Sequence, residues 1–299
     1  MSDHPQARKA ELQFSDTLDD MPGIVIDGDD AGSAFIAEQG AQLISWRDRD
    51  GNERLYLSPI SGGLKRSDPA GNQAIRGGTP ICFPQFSGRG QLPKHGLVRQ
   101  MRWKVLPTAA GQDFRHAAAL ACTDDAASRA VWPQSFTAAL RAQLLPSQLN
   151  ISLTVTNTGG TPWDFTVALH TYFRVADVRN VRLRGLQGVS YQDATDDNKV
   201  VVQQDTDLTV ARELDRVYMS PPKTLMLNEA GAAALQITQH GFQDSVVWNP
   251  GPVNAAALND FPDDDWLHMI CVEAACVVTP LRLEPGQSWS GSQTLTVLD

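Results

Sequence analysis

No stretch of this sequence approaches the roughly 20 apolar residues of a membrane-spanning helix, which excludes a helical membrane span. Cysteine is scarce. Cys82, Cys122, Cys271 and Cys276 have neither the density nor the spacing of a disulfide framework. Cys271 and Cys276 could supply half of a zinc site, but no second closely spaced Cys or His pair completes a tetrahedral set, so no metal is expected. Basic charge is also lacking. A net charge of -9 argues against nucleic acid as a partner, because that binding rests on neutralising phosphates with Lys and Arg. A small anionic ligand stays open, since a local cationic pocket does not need a cationic protein. Residues 1–20 are polar and of mixed charge and lack the apolar core of a signal peptide, so a cytoplasmic location is the expectation.

Helical periodicity is nearly absent. Residues 263–269, opened by acidic side chains that suit a helix start, are the best candidate for one or two turns. What is present instead is alternation at period two. Residues 149–156 alternate apolar with polar and run into Asn157-Thr-Gly-Gly160, a half-buried strand followed by a turn. Residues 289–297 put Ser290, Ser292, Thr294 and Thr296 on one face and follow the turn residues Glu284-Pro-Gly286. Shorter β-rich pieces lie at 23–26, 34–36, 42–46, 103–106, 137–145, 164–169, 181–183 and 232–237.

A chain of 299 residues with 42% hydrophobic and 20% charged residues has ample material for a soluble core. No repeat or Ser/Gly/Pro-rich linker divides it. The expectation is an all-β protein, one large antiparallel β-sandwich domain over residues 1–299, with residues 1–20 as a loose tail or an edge strand. The irregular stretch 60–96 is too long for an ordinary connection, and such loops are where function tends to sit.

Several residues carry possible chemistry. His170 closes the apolar run 165–169, where a side chain of near-neutral pKa suits proton transfer; taken alone, a buried histidine satisfied by a backbone carbonyl is the commoner reading. Glu273 interrupts a run of apolar and small residues, so it is either an active-site carboxylate or half of a buried ion pair. Arg76 precedes Gly77-Gly78, which would let a ligand approach the backbone, and Arg99 lies four residues after His95. Two arginine forks in one region fit an anion site, against the plainer alternative of a solvated basic face. Phe83, Phe173 and Trp248 could offer flat faces to a sugar ring, whereas Trp46 and Trp103 read as core. No Walker spacing and no Gly-x-Ser-x-Gly elbow is present, so neither a nucleotide site nor a serine nucleophile is indicated.

Taken together, the ordered islands resemble the aldose 1-epimerase family, and within it the hexose-6-phosphate mutarotases. The resemblance is carried by Arg76-Gly-Gly-Thr-Pro-Ile-Cys-Phe-Pro84, Leu92-Pro-Lys-His-Gly-Leu-Val-Arg99, Leu169-His-Thr-Tyr-Phe173, Asp215-Arg-Val-Tyr218, Val246-Val-Trp-Asn-Pro250, Met269-Ile-Cys-Val-Glu273 and Leu283-Glu-Pro-Gly-Gln-Ser-Trp289. It implies a galactose mutarotase-like β-sandwich, His170 as general acid and Glu273 as general base. Arg76, Arg99 and Asp215 match substrate-binding positions, the arginines being suited to phosphate, and His95 resembles a second histidine near the sugar. Lys94 stands where a neutral residue such as Gln is common, and could add a phosphate contact. Ala274-Ala275-Cys276 replaces the usual Pro-Gly after the base, which predicts an altered loop there.

The implied reaction interconverts the α and β anomers of an aldohexose 6-phosphate, with no cofactor and a monomer acting on a small-molecule substrate. A mutarotase for unphosphorylated hexoses and a noncatalytic sugar-phosphate-binding protein are the alternatives.

Overall fold

A computed structural model describes residues 21–61, 74–107, 116–230, 232 and 234–298. The tail or edge strand expected at residues 1–20 lies outside them. Strands and helices are numbered in chain order. A three-stranded sheet joins β1 (Gly23–Asp27), β2 (Ser33–Ala37) and β3 (Leu43–Arg47). An eight-stranded sheet runs β13 (Lys199–Val202), β12 (Ser190–Asp193), β15 (Leu214–Met219), β18 (Asp244–Asn249), β19 (Met269–Leu283), β9 (Trp163–Leu169) and β4 (Ile81–Cys82), with β10 (Tyr172–Arg174) also paired to β19. A nine-stranded sheet runs β14 (Asp207–Leu208), β11 (Val181–Arg184), β16 (Thr224–Glu229), β17 (Leu235–His240), β20 (Ser288–Val297), β8 (Gln148–Asn157), β7 (Phe136–Leu145), β6 (Ala117–Thr123) and β5 (Lys104–Val105). Every named strand pairing is antiparallel.

The alternation read from residues 149–156 is the physical basis of the nine-stranded sheet. Leu149, Ile151, Leu153 and Val155 of β8 are buried in the main core, together with Phe165, Val167 and Leu169 of β9 and Val272, Ala274 and Cys276 of β19 from the eight-stranded sheet. The two sheets therefore share one sandwich core, and each such large aliphatic side chain contributes about 1.5–3 kcal/mol by leaving water. On the other face of β8 the polar residues form a ladder with β20: Thr156 with Ser288 at 2.7 Å, Thr154 with Ser290 at 2.9 Å, and Asn150 donating to Thr294 at 2.7 Å. Cross-strand polar pairs of this kind hold register on a solvated face.

The expected β-sandwich is the architecture found, with local differences. Residues 263–269 form only a 3₁₀ turn, Asp265–His268, because Met269 already begins β19. The strand expected at 232–237 begins three residues later, at Leu235. Two short helices were not legible: α1 (Ala126–Val131), closed by a reciprocal Asp125–Ser128 cap, and α2 (Gly251–Ala257). Among the described residues, no helix is long and apolar enough to cross a membrane.

β19 explains how the site is placed. Its first nine residues are buried on both faces, which is why the sequence there is almost continuously apolar. Even positions face the sandwich core; Cys271, Glu273 and Ala275 face the opposite side. Cys271 and Cys276, five residues apart, consequently project from opposite faces. At one end that far side is packed against α2 and the segment leading to the 3₁₀ turn; beside it Arg76, Arg99, Asp215 and Trp248 are only half-buried, and we treat the space they border as a cleft. Asn249 pins that segment, donating to Trp266 and Met269 carbonyls at 2.8 Å each and accepting from the Gly251 N–H at 2.9 Å.

Candidate active site

Register alone brings most of the candidates onto one surface. Across the eight-stranded sheet, Gln192 pairs with Val217, Val217 with Val246, and Val246 with Glu273. The adjacent row on the same face is Asp215, Trp248, Cys271 and Tyr172. Cys82 of β4 pairs with Ala168 of β9, which pairs with Ala275. Three islands distant in sequence thus become neighbours because antiparallel pairing fixes which side chains share a face.

Glu273 is 1% exposed, and among the described residues neither carboxylate oxygen has a hydrogen-bond partner. Burial, reinforced by the charge of Asp215, raises its pKa well above that of an ordinary carboxylate. His170 lies beside it, with Nδ1 3.4 Å from Oε1 but without hydrogen-bond geometry. His170 follows the last residue of β9 and is held by its N–H to the Pro80 carbonyl at 2.9 Å. Its ring stacks on Tyr172, with centroids 4.8 Å apart and planes 12° apart, and meets Trp248 edge-on at 6.0 Å. Burial drives the His170 pKa down, and His95, Arg76 and Arg99 lower it further by repulsion. The environment penalises both charged forms, so the pair favours the neutral carboxylic acid beside neutral imidazole. That arrangement holds one proton between two groups.

Ala274 and Ala275 do not form a loop behind the base. They continue β19 in register with Leu169 and Ala168, and the register shift comes only beyond Cys276. Both alanines are wholly buried, and the altered loop expected after Glu273 is absent.

His95 stands on the opposite wall. Its ring meets His170 at 5.3 Å and Phe86 at 5.4 Å, both edge-on. The backbone at His95 is left-handed, φ 65°, as it is at Ser87, φ 49°. Such conformations cost side-chain-bearing residues of order 1–3 kcal/mol and cluster at functional sites. The two residues clasp each other: the His95 N–H donates to the Ser87 carbonyl at 3.1 Å, and the Ser87 N–H donates to His95 Nδ1 at 3.4 Å. Cys82 Sγ lies 3.1 Å from the same Nδ1. Burial first, then repulsion from Arg99, Lys94 and Arg76, pushes the His95 pKa down to about 3.

The cations divide into two kinds. Arg76 is largely spoken for: Nε lies 3.2 Å from both Asp260 oxygens, Nη2 donates to Oδ1 at 3.0 Å, and Nη1 reaches the Tyr172 hydroxyl at 3.5 Å. Arg99 and Lys94 have no carboxylate within ion-pair distance among the described residues; Arg99 Nη2 donates to the Lys94 carbonyl at 2.9 Å, and the Lys94 side chain is exposed. Arg89 donates to Gln192 at 2.8 Å and to Asn198 at 3.0 Å. Asp215 is half-buried beside Trp248, and burial pushes its pKa up to about 6.

Each candidate named from the sequence, Arg76, Lys94, His95, Arg99, His170, Asp215 and Glu273, therefore contributes to or borders this cleft. Other assignments change. Phe83 and Phe173 are wholly buried in the main core, Phe83 among Trp132, Phe136, Trp163 and Phe165, and neither faces the cleft. Trp248 does expose a face there. Gly77 and Gly78 serve backbone packing: a β-carbon on Gly78 would lie 2.2 Å from the Leu43 carbonyl oxygen, and one on Gly77 2.4 Å from that of Tyr56. Buried Gln42 fixes this turn by donating to the Gly77 and Ile75 carbonyls at 2.6 and 3.1 Å. Asp260 and Tyr172 were missed as site residues. Tyr172 lay in view within the His170 island; Asp260 gave only the faint signal of an acid beside Phe261.

The aldose 1-epimerase family model matches residues 22–296. A protein from Cenchrus ciliaris named "Putative glucose-6-phosphate 1-epimerase" is 34% identical over 274 residues, covering 89% of this chain and 81% of that protein. A protein of the same name from Salmonella typhimurium is 32% identical over 286 residues, covering 94% and 92%. Among solved structures, one described as a putative mutarotase from Salmonella typhimurium superposes with a TM-score of 0.82 at 31% identity, covering 94% of this chain and 92% of that one. A galactose mutarotase-like protein from Lactobacillus casei shares the fold, with a TM-score of 0.74 at 15% identity and coverage of 92% and 99%.

Proposed function

The chain belongs to the aldose 1-epimerase family, and we propose that it interconverts the α and β anomers of an aldohexose 6-phosphate, glucose 6-phosphate above all. The observation that carries the reading is the unpartnered Glu273 carboxyl 3.4 Å from His170, inside a cleft bordered by Arg99 and Lys94. A buried carboxyl and imidazole without other partners are costly to stability and suited to proton transfer.

In the ring-opening direction Glu273 takes the proton of the anomeric hydroxyl while His170 delivers one to the ring oxygen. The bond between the anomeric carbon and that oxygen breaks, and its electron pair goes to the oxygen, leaving an open-chain aldehyde. Rotation about the adjacent carbon–carbon bond presents the other face of the aldehyde, and the same transfers in reverse close the ring. At rest the shared proton sits on Glu273; it passes to His170 before the ring opens, and opening returns it to Glu273, so one proton suffices for the cycle. Each positioned transfer contributes about 100-fold to 10,000-fold.

Asp215 and Arg76 would hold sugar hydroxyls, Trp248 would offer its exposed face to the ring, and His95 would stand beside the reacting atoms. Because Asp260 already compensates Arg76, the larger share of uncompensated positive charge falls to Arg99 and Lys94, which favours these two for the phosphate. That charge has little to do for a neutral hexose.

The test is exchange NMR on freshly dissolved α-glucose 6-phosphate, with free glucose and free galactose in parallel. Acceleration largely confined to the phosphorylated sugar is expected. Equal acceleration of the free sugars would replace this reading with a neutral-hexose mutarotase, and none at all would make the protein a binder.

A further inference from the structure

Two groups converge on one nitrogen of His95. The Ser87 backbone N–H lies 3.4 Å from Nδ1, and Cys82 Sγ lies 3.1 Å from it. A peptide N–H can only donate, so Nδ1 must present a lone pair to it; the proton of the neutral ring must then sit on Nε2. Cys82 is wholly buried, and burial keeps its thiol protonated, so it too can donate. We propose that Cys82 is a positioning residue that, with the Ser87 N–H, locks His95 as the Nε2–H tautomer and makes it a fixed hydrogen-bond donor to a sugar oxygen in the cleft.

The surroundings agree with that assignment. The His95 and Ser87 backbones hold each other through a second hydrogen bond, His95 N–H to Ser87 carbonyl, which keeps the Ser87 N–H beside the Nδ1 edge of the ring. Gly96 closes the turn: a β-carbon there would stand 2.2 Å from the Phe83 carbonyl oxygen, next to Cys82. The titratable groups around the ring are Cys82 behind it, His170 in front, and Arg99, Lys94 and Arg76 around the cleft. None of the cations can accept from Nε2–H, and all oppose a second proton on the ring. A donor with a fixed hydrogen stabilises charge developing on a substrate oxygen without reorganising at the moment of reaction. Which oxygen it serves rests on the proposed anomerisation; the tautomer does not.

The experiment is long-range ¹H–¹⁵N correlation NMR of the full chain labelled at histidine nitrogens. Six histidines contribute, and His95 is assigned by its loss in His95→Gln. The expected spectrum shows Nδ1 as a hydrogen-bonded acceptor and Nε2 protonated, unchanged between pH 5 and pH 8. In Cys82→Ala the Nδ1 resonance should move downfield as one donor is lost, and kcat for glucose 6-phosphate should fall about three- to tenfold, the effect of losing one neutral hydrogen bond, while Cys82→Ser restores both. A wild-type His95 carrying its proton on Nδ1, or an alanine variant with an unchanged His95 signal and unchanged kcat, overturns the proposal. Because the tautomer is read without substrate, its failure is distinct from a failure of the proposed reaction, which would show as absent anomerisation with the spectrum as expected.

Discussion

His170 Nδ1 lies 3.4 Å from Glu273 Oε1, and within the described protein that carboxyl has no hydrogen-bond partner. Replacing Glu273 by Gln keeps the shape and removes the proton acceptor, so anomerisation should fall at least about 100-fold while sugar-phosphate binding persists. A near-wild-type rate would remove Glu273 as the base. The same variant should be more stable at alkaline pH. Folded Glu273 holds its proton to a higher pH than the unfolded chain does, so the associated stability is complete below the ordinary carboxylate pKa and is lost as pH rises through the folded value. The Glu273→Gln variant escapes that loss, and thermal melts at pH 5 and pH 8 should show an advantage that grows with pH, by about 2–4 °C for each kcal/mol relieved.

The pH profile carries the signature of a shared proton. Protonation of His170 closes the acid limb, and because its pKa is depressed that limb lies below the ordinary imidazole range. Loss of the Glu273 proton closes the alkaline limb, which lies above the ordinary carboxylate range. Asp215 contributes repulsion that keeps the Glu273 proton on. In Asp215→Asn the alkaline limb of kcat should therefore move to lower pH, with a raised KM from the lost hydroxyl partner; an unmoved limb would show that the two carboxyls are not coupled.

Arg99→Ala and Lys94→Ala should raise KM for glucose 6-phosphate more than for free glucose, Arg99 by the larger factor because a guanidinium can bind two phosphate oxygens at once. Loss of a charge-assisted hydrogen bond of about 1.5–3 kcal/mol corresponds to roughly 10-fold to 100-fold. Equal effects on both sugars would take these residues out of a phosphate site.

Asp260 grips Arg76 through both oxygens, so Asp260→Asn should loosen the guanidinium while leaving it in the cleft. Steady-state kinetics should show kcat/KM reduced by about 10-fold to 100-fold, the range for modest misplacement of a binding group. Full activity in the variant would mean that Tyr172 alone orients Arg76.

Gly78 adopts φ 61°, and its carbonyl receives the Tyr172 N–H at 2.8 Å. Gly78→Ala sets a methyl group against the Leu43 carbonyl, so denaturant melts should show a loss of at least about 1–3 kcal/mol for the strained backbone. The rate should fall as well, because Tyr172 is the surface on which His170 stacks.

Much of this protein was legible in order. Period-two alternation at 149–156 and 289–297 fixed which side chains face the sandwich core, since a strand puts successive residues on opposite faces whatever it later pairs with. The apolar run around Glu273 marked a strand buried on both sides, and the ordered islands named residues that the fold brings close together. The sequence could not assign Phe83 and Phe173 to the core, because an aromatic beside a proline or a polar residue looks the same whether it faces a cleft or the interior. Nor could it show Asp260 gripping Arg76 across 184 residues, the clasp that aims His95, or the absence of any partner for Glu273. Those depend on strand register and on loops returning over the sheet, and they are decided by packing between segments that local periodicity does not relate.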